Sequence, residues 1–190
     1  MTYAARNLPA VPMLLHRASA GDMTPFVQAA IESNSRLDDE LRFGFLLSIT
    51  CTEDVSRISP AAIPGATRGT YLGDARVREQ MRACAAWPRG ERSRDYGDPI
   101  RSNVPAFLLS GAWDPVTPPR WGADAANSLS RSIHVVAPGA HVPSGPCIVA
   151  MERAFLAAAS PAAVDTRCVA AMRLPDFVVE PIKGDGGLRR

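Results

Sequence analysis

The stretch Val104-Pro-Ala-Phe-Leu-Leu-Ser-Gly-Ala-Trp-Asp114-Pro-Val-Thr-Pro-Pro119, followed by Ile133-His-Val-Val-Ala-Pro-Gly-Ala-His141, decides how this chain is read. Residues 104–110 form a compact apolar run of strand length, and 133–136 form a second. Between them Thr117-Pro118 pairs a helix cap with a proline at the first helical position, and Trp121, Ala125 and Leu129 follow at helical spacing. A further helix from about 147 to 159 is expected to bury Ile148, Met151, Phe155 and Leu156. Strand, helix, strand, helix predicts crossovers in a parallel sheet. Two strands alone make a poor sheet, so the pattern reads as part of a larger one. Reactive groups in such sheets gather beyond the carboxyl ends of the strands. Here those ends carry one aspartate, Asp114, and one histidine, His141. Neighbouring parallel strands run about 4.8 Å apart, close enough for the two loops to meet. An aspartate that accepts the N–H of an imidazole fixes its tautomer and stabilises the imidazolium formed in acyl transfer.

The N-terminal half is less periodic. Residues 1–20 are apolar and punctuated by proline. Thr24-Pro25 predicts a helix start, with Phe26, Val27, Ala30 and Ile31 on one face. The run Leu41–Thr50 is short and apolar, a buried strand or a helix by periodicity alone, and ends in Cys51-Thr-Glu53-Asp54. Residues 56–73 read as loop. Asp74 can cap a helix carrying Val77, Met81 and Cys84 on one side. Residues 88–103 alternate arginine with acid and read as a solvated connector, so the domain boundary is placed there, between residues 95 and 96.

The composition narrows the function. Of 190 residues 46% are hydrophobic, which excludes wholesale disorder. With 21 basic against 19 acidic side chains, the net charge of +2 offers no footprint for nucleic acid. No stretch approaches the roughly 20 apolar residues needed to span a bilayer, so no membrane partner is expected. The first residues carry no charged region followed by an apolar run, hence no visible signal peptide. The four cysteines, Cys51, Cys84, Cys147 and Cys168, include no C-x-x-C pair, which argues against a metal site. They can be reduced buried thiols or two disulfides in any of three pairings.

Residues 104–119 and 133–141 resemble the C-terminal part of the tripeptidyl and prolyl aminopeptidases, which are secreted α/β-hydrolases. Leu8-Pro9 with Gly21-Asp22, Ile49-Thr-Cys51-Thr-Glu53, Cys84 with Trp87-Pro88, and the helix from Cys147 toward Cys168 resemble it too, so the likeness covers roughly residues 8–170. It implies Asp114 as triad acid, His141 as general base, and disulfides Cys51–Cys84 and Cys147–Cys168. The order acid then histidine is that of α/β-hydrolases, in which serine comes first. The implied architecture is a partial α/β-hydrolase fold: residues 1–95 as a helical cap or lid and 96–190 as the C-terminal part of the core, with the N-terminal half of the sheet missing. A peptide is the implied substrate, no cofactor is required, and a secreted or periplasmic parent enzyme is implied. Glu53 is a candidate anchor for the substrate's α-ammonium group, or an ordinary acidic residue after an apolar segment.

Two departures stand out. Ala140 replaces the glycine usual before the catalytic histidine, which is tolerable if its φ is not positive. No G-x-S-x-G nucleophile motif occurs; the near miss Gly65-Ala-Thr67-Arg-Gly69 follows a proline-broken segment and reads as loop. Two functions follow. One is a serine aminopeptidase whose nucleophile comes from a complementary N-terminal half. The other is a non-catalytic fragment or binding module derived from such an enzyme. Trp113 can line a substrate pocket or pack beneath a cap, the reading preferred here, and His134, mid-strand, is expected to be structural.

Overall fold

A computed structural model describes residues 5–40 and 42–179. In chain order the helices and strands are α1 (Val11–Ser19), α2 (Thr24–Glu40), α3 (Phe43–Glu53), α4 (Ile63–Thr67), α5 (Ala75–Ala86), β1 (Ala106–Gly111), α6 (Pro119–Ala126), β2 (Ser132–Ala137) and α7 (Pro146–Ala158). The chain divides into two compact units: one takes in the residues up to Ser33 together with Pro99 onward, the other Asn34–Asp98. The expected boundary at 95/96 grouped the whole N-terminal half together. The compact grouping instead joins the segment up to Ser33 to the unit that holds the strands.

In that unit β1 and β2 pair in parallel, in a register running from Ala106 opposite Ser132 to Gly111 opposite Ala137. Strand alternation sorts the side chains. Phe107 and Leu109 of β1 and Ile133, Val135 and Ala137 of β2 pack with Ile148 and Met151 of α7 and with Val164 to form the main core. The opposite face carries Ser110 and His134, whose side chains are hydrogen-bonded at 2.9 Å, and α6 packs there. His134 is thus a structural residue with a named partner.

α6 departs from its expected form. It begins at Pro119, with Pro118 in the cap position and no side-chain cap. Trp121 is exposed, and Gly122 rather than Trp121 faces the sheet, because a Cβ there would come within 2.5 Å of His134 Nε2. The inward face is therefore shifted by one residue. In α7, Ile148 and Met151 are buried as expected, but Leu156 is 74% exposed. α1 was not foreseen; Ala10 and Leu14 meet Ala29 of α2, and Met13, Phe26 and Val178 pack against them. Val27 and Ile31, expected on that inward face, are exposed.

The second unit is helical. Leu41 lies outside the described residues, but the apolar run after it forms α3 and not a strand. Its hydroxyls are accommodated within the helix: Ser48, Thr50 and Thr52 each donate to the carbonyl four residues back. Residues 56–73 are not all loop, since they include α4 and two short 3-10 turns. Thr67 ends α4 and donates to Ile63 O at 2.9 Å, so it lies in a helix and not at a strand-to-helix elbow. Asp74 sits at the cap position of α5 but makes no cap bond; its carboxylate accepts from Arg78. Cys51 of α3 and Cys84 of α5 are joined, fully buried among Val55, Leu47, Met81, Ile58 and Trp87.

Candidate functional site

The two loops that leave the strand ends are laced together by main-chain bonds. Ala112 N–H donates to Ala137 O and Trp113 N–H to Gly139 O, both at 2.9 Å, so the pairing continues past the strands. Gly111 makes this possible: a Cβ on it would lie 1.8 Å from Ala140 O, a distance no real atom pair tolerates. Ala140 is fully buried and its φ is not positive, so the backbone there does not require glycine. The backbone turns just after His141, where Val142 takes φ of 55°, an unusual conformation for a β-branched residue.

This lacing brings Asp114 and His141 together. His141 Nδ1 and Asp114 Oδ2 are 2.9 Å apart; the carboxylate side chain is almost wholly buried, and the imidazole is 18% exposed. Asp114 is held by its own segment. Val116 N–H and Thr117 N–H donate to Oδ1 at 2.8 and 2.9 Å, and the Thr117 hydroxyl donates to Oδ2 at 2.5 Å. Pro115, at the intervening position, has no N–H to offer. Burial alone would push the Asp114 carboxyl upward. It is outweighed by the Thr117 hydroxyl, the Thr117 and Val116 amides and His141, which together hold the group well below the usual carboxylate range. Asp114 is therefore an ionised acceptor whose orientation is fixed by four donors.

Thr117 is the residue that sequence reading missed. Its place before Pro118 predicts a helix cap, yet its hydroxyl turns to Asp114 and also stands 3.1 Å from His141 Nδ1. The signal lay in Asp114-Pro-Val-Thr117, turn chemistry in which an aspartate side chain accepts the amides two and three residues on.

The remaining candidates lie elsewhere. Trp113 is 58% exposed and lines an apolar pocket of about 380 Å³ with Pro9, Pro12, Leu174 and Phe177. It faces open space in its own unit, contrary to the packed role expected of it. Glu53, in the second unit, is half-buried at the end of α3 and accepts a 2.5 Å hydrogen bond from the Tyr96 hydroxyl. That bond to a carboxylate raises the Tyr96 pKa. The cysteines form Cys51–Cys84 and Cys147–Cys168, with Cα separations of 5.1 and 5.7 Å. Such bridges are the covalent signature of an oxidising compartment. Among the described residues, no group of three or more His, Cys, Asp or Glu side chains is arranged to hold a metal, and no helix is long and apolar enough to cross a membrane.

A strand-end aspartate bonded to a strand-end histidine can orient an imidazole as a base. Among known proteins, the family model described as TAP-like protein matches residues 70–168, a span that contains β1 and β2. No curated protein and no solved structure matches the chain significantly. On this match, which covers more than half of its length, the chain belongs to the TAP-like protein family of α/β-hydrolases.

Proposed function

We propose that this chain carries the acid and base of a serine peptidase of the tripeptidyl or prolyl aminopeptidase type. The observation that carries the reading is the hydrogen bond between Asp114 and His141, 2.9 Å long and anchored on adjacent strand ends. In the proposed reaction a serine hydroxyl attacks the scissile carbonyl, His141 takes its proton and later returns it to the leaving amine, and Asp114 stabilises the imidazolium. The serine comes from sequence outside these 190 residues, which contain no G-x-S-x-G. A complementary N-terminal half of the sheet would supply it, together with an oxyanion hole, and would pair with an open strand edge. Of the region 1–95 expected to form the cap, the helical unit Asn34–Asp98 contributes it, while the residues up to Ser33 group with those from Pro99 onward, which contribute the core. Glu53 binds the free α-ammonium group of a peptide through a charge-assisted bond. The parent enzyme is secreted or periplasmic, consistent with two disulfides.

The missing nucleophile motif favours a second reading, in which the chain by itself is a non-catalytic module. Labelling with a fluorophosphonate probe separates the two. Alone, the chain should not label. Co-expressed with the coding sequence that precedes it, it should yield a labelled complex that cleaves N-terminally unblocked peptide amides. That labelling should vanish in His141→Ala. Labelling unaffected by His141→Ala would overturn the assignment of the base, and no labelling from any adjacent coding sequence would leave the module reading standing.

A further inference from the structure

Thr117 has one hydroxyl proton and two close partners, Asp114 Oδ2 at 2.5 Å and His141 Nδ1 at 3.1 Å. Counting protons shows how they are shared. An ionised carboxylate only accepts, so the hydroxyl donates its proton to Oδ2; a lone pair facing Oδ2 at that distance would be repelled. With the proton committed there, the hydroxyl presents a lone pair to Nδ1. Oδ2, 2.9 Å from the same nitrogen, presents another. Two acceptors converge on Nδ1, and only an N–H at that nitrogen satisfies both.

We infer that Thr117 is a positioning residue for the acid–base pair, its hydroxyl bridging Asp114 Oδ2 and His141 Nδ1 so that the neutral imidazole keeps its proton on Nδ1 and its lone pair on Nε2. The role is local and built into the sequence. Thr117 also sends its backbone N–H to Oδ1, so one residue holds both carboxylate oxygens and thereby the rotamer of Asp114. Pro118 and Pro119 follow it directly and stiffen the segment that presents the hydroxyl. An aspartate free to turn could offer its oxygens to other donors. Held as it is, it has one oxygen on the backbone and one on the ring.

The inference rests on the reading of His141 as general base, but its test does not need turnover. The chain has three histidines, so nitrogen NMR of the purified protein can follow each ring, with His141→Gln identifying the relevant signals. In the unaltered protein Nδ1 should resonate as a protonated ring nitrogen and Nε2 as an unprotonated one, with the Nδ1 proton far downfield and slow to exchange. Thr117→Val, which keeps the shape and removes the hydroxyl, should lose that proton signal and move both nitrogens toward averaged shifts. Thr117→Ser should restore the original spectrum. Asp114→Asn should reverse the tautomer, because an amide can donate to Nδ1.

If Asp114→Asn reverses the tautomer while Thr117→Val leaves it unchanged, Thr117 has no positioning role and the pair stands. If Asp114→Asn changes nothing, the pair itself is overturned. Should the valine variant not fold, Thr117→Ala gives the same readout, and in the unaltered protein a ring protonated on Nε2, or averaged between the two nitrogens, overturns the inference.

Discussion

The carbonyl oxygen of Ala140 stands 1.8 Å from where a Cβ on Gly111 would be, so the histidine loop rests on bare backbone at the end of β1. With the strand pairing and the main-chain bonds beyond it, this close approach holds the loops of Asp114 and His141 side by side. Gly111→Ala must push the 139–141 loop away. No flexible side chain can move aside instead, since the atoms met are main chain. Overpacking of this kind costs about 1–3 kcal/mol and sometimes more; the upper end is expected here. Denaturant unfolding would measure it, and the downfield His141 proton should disappear even in variant protein that remains folded.

Asp114 links stability to acid. Its carboxyl is depressed below the ordinary value of 3.8, so its contribution is fully present above about pH 4. As pH falls through that range the unfolded chain takes up a proton before the native one does, and stability declines. Asp114→Asn should flatten the decline between roughly pH 4 and 2. A remnant should persist from the exposed Asp165, which Arg167 holds at about 2. At neutral pH the same variant should cost about 1–3 kcal/mol, the penalty for disturbing buried hydrogen bonds. Thermal melts across pH 2–7 would test both statements. An identical acid limb in the variant would refute the assignment to Asp114.

The disulfides should open in order. Cys51 and Cys84 are 0% and 1% exposed, whereas Cys147 and Cys168 lie nearer the surface. Graded reductant followed by alkylation and mass spectrometry should therefore show Cys147–Cys168 modified first, with Cys51–Cys84 protected until its unit unfolds. Cys51→Ser with Cys84→Ser should cost about 2–5 kcal/mol, as expected for removing a native bridge from a small unit. Simultaneous reduction of both would contradict this order.

Gly122 is a second site where a methyl group has no room. A Cβ there meets His134 Nε2 at 2.5 Å and Ser110 Oγ at 2.8 Å. Gly122→Ala should cost about 1–3 kcal/mol despite its better helix propensity. Because the obstacle is two side chains, Ser110→Ala combined with His134→Val should relieve it. A double-mutant cycle by chemical unfolding should show coupling of at least about 0.5 kcal/mol. Additivity would mean that α6 shifts as a whole.

Much of the fold was legible because the signals were local. The two apolar runs, the turn residues after them, and Ile148 and Met151 on α7 follow from periodicity over a few residues. So did the presence of an aspartate and a histidine beyond the strand ends; their family likeness came from motif resemblance. The run after Leu41 was ambiguous for a physical reason: a short apolar segment suits a buried strand or a buried helix equally. Its helical outcome depends on partners that periodicity does not name, including the disulfide to α5.

What the sequence determined by itself is the order of chemical groups: acid, then base, each just past a strand, with four cysteines spaced around them. Tertiary structure alone decided which face of α6 turns inward, that Leu156 and Ile31 meet solvent, and that Thr117 serves Asp114 rather than a helix end. Those outcomes depend on distances between segments far apart in the chain, and a side chain's partner is settled by which surfaces pack and how closely two backbones can approach. Residue spacing along the chain carries the first kind of information and not the second.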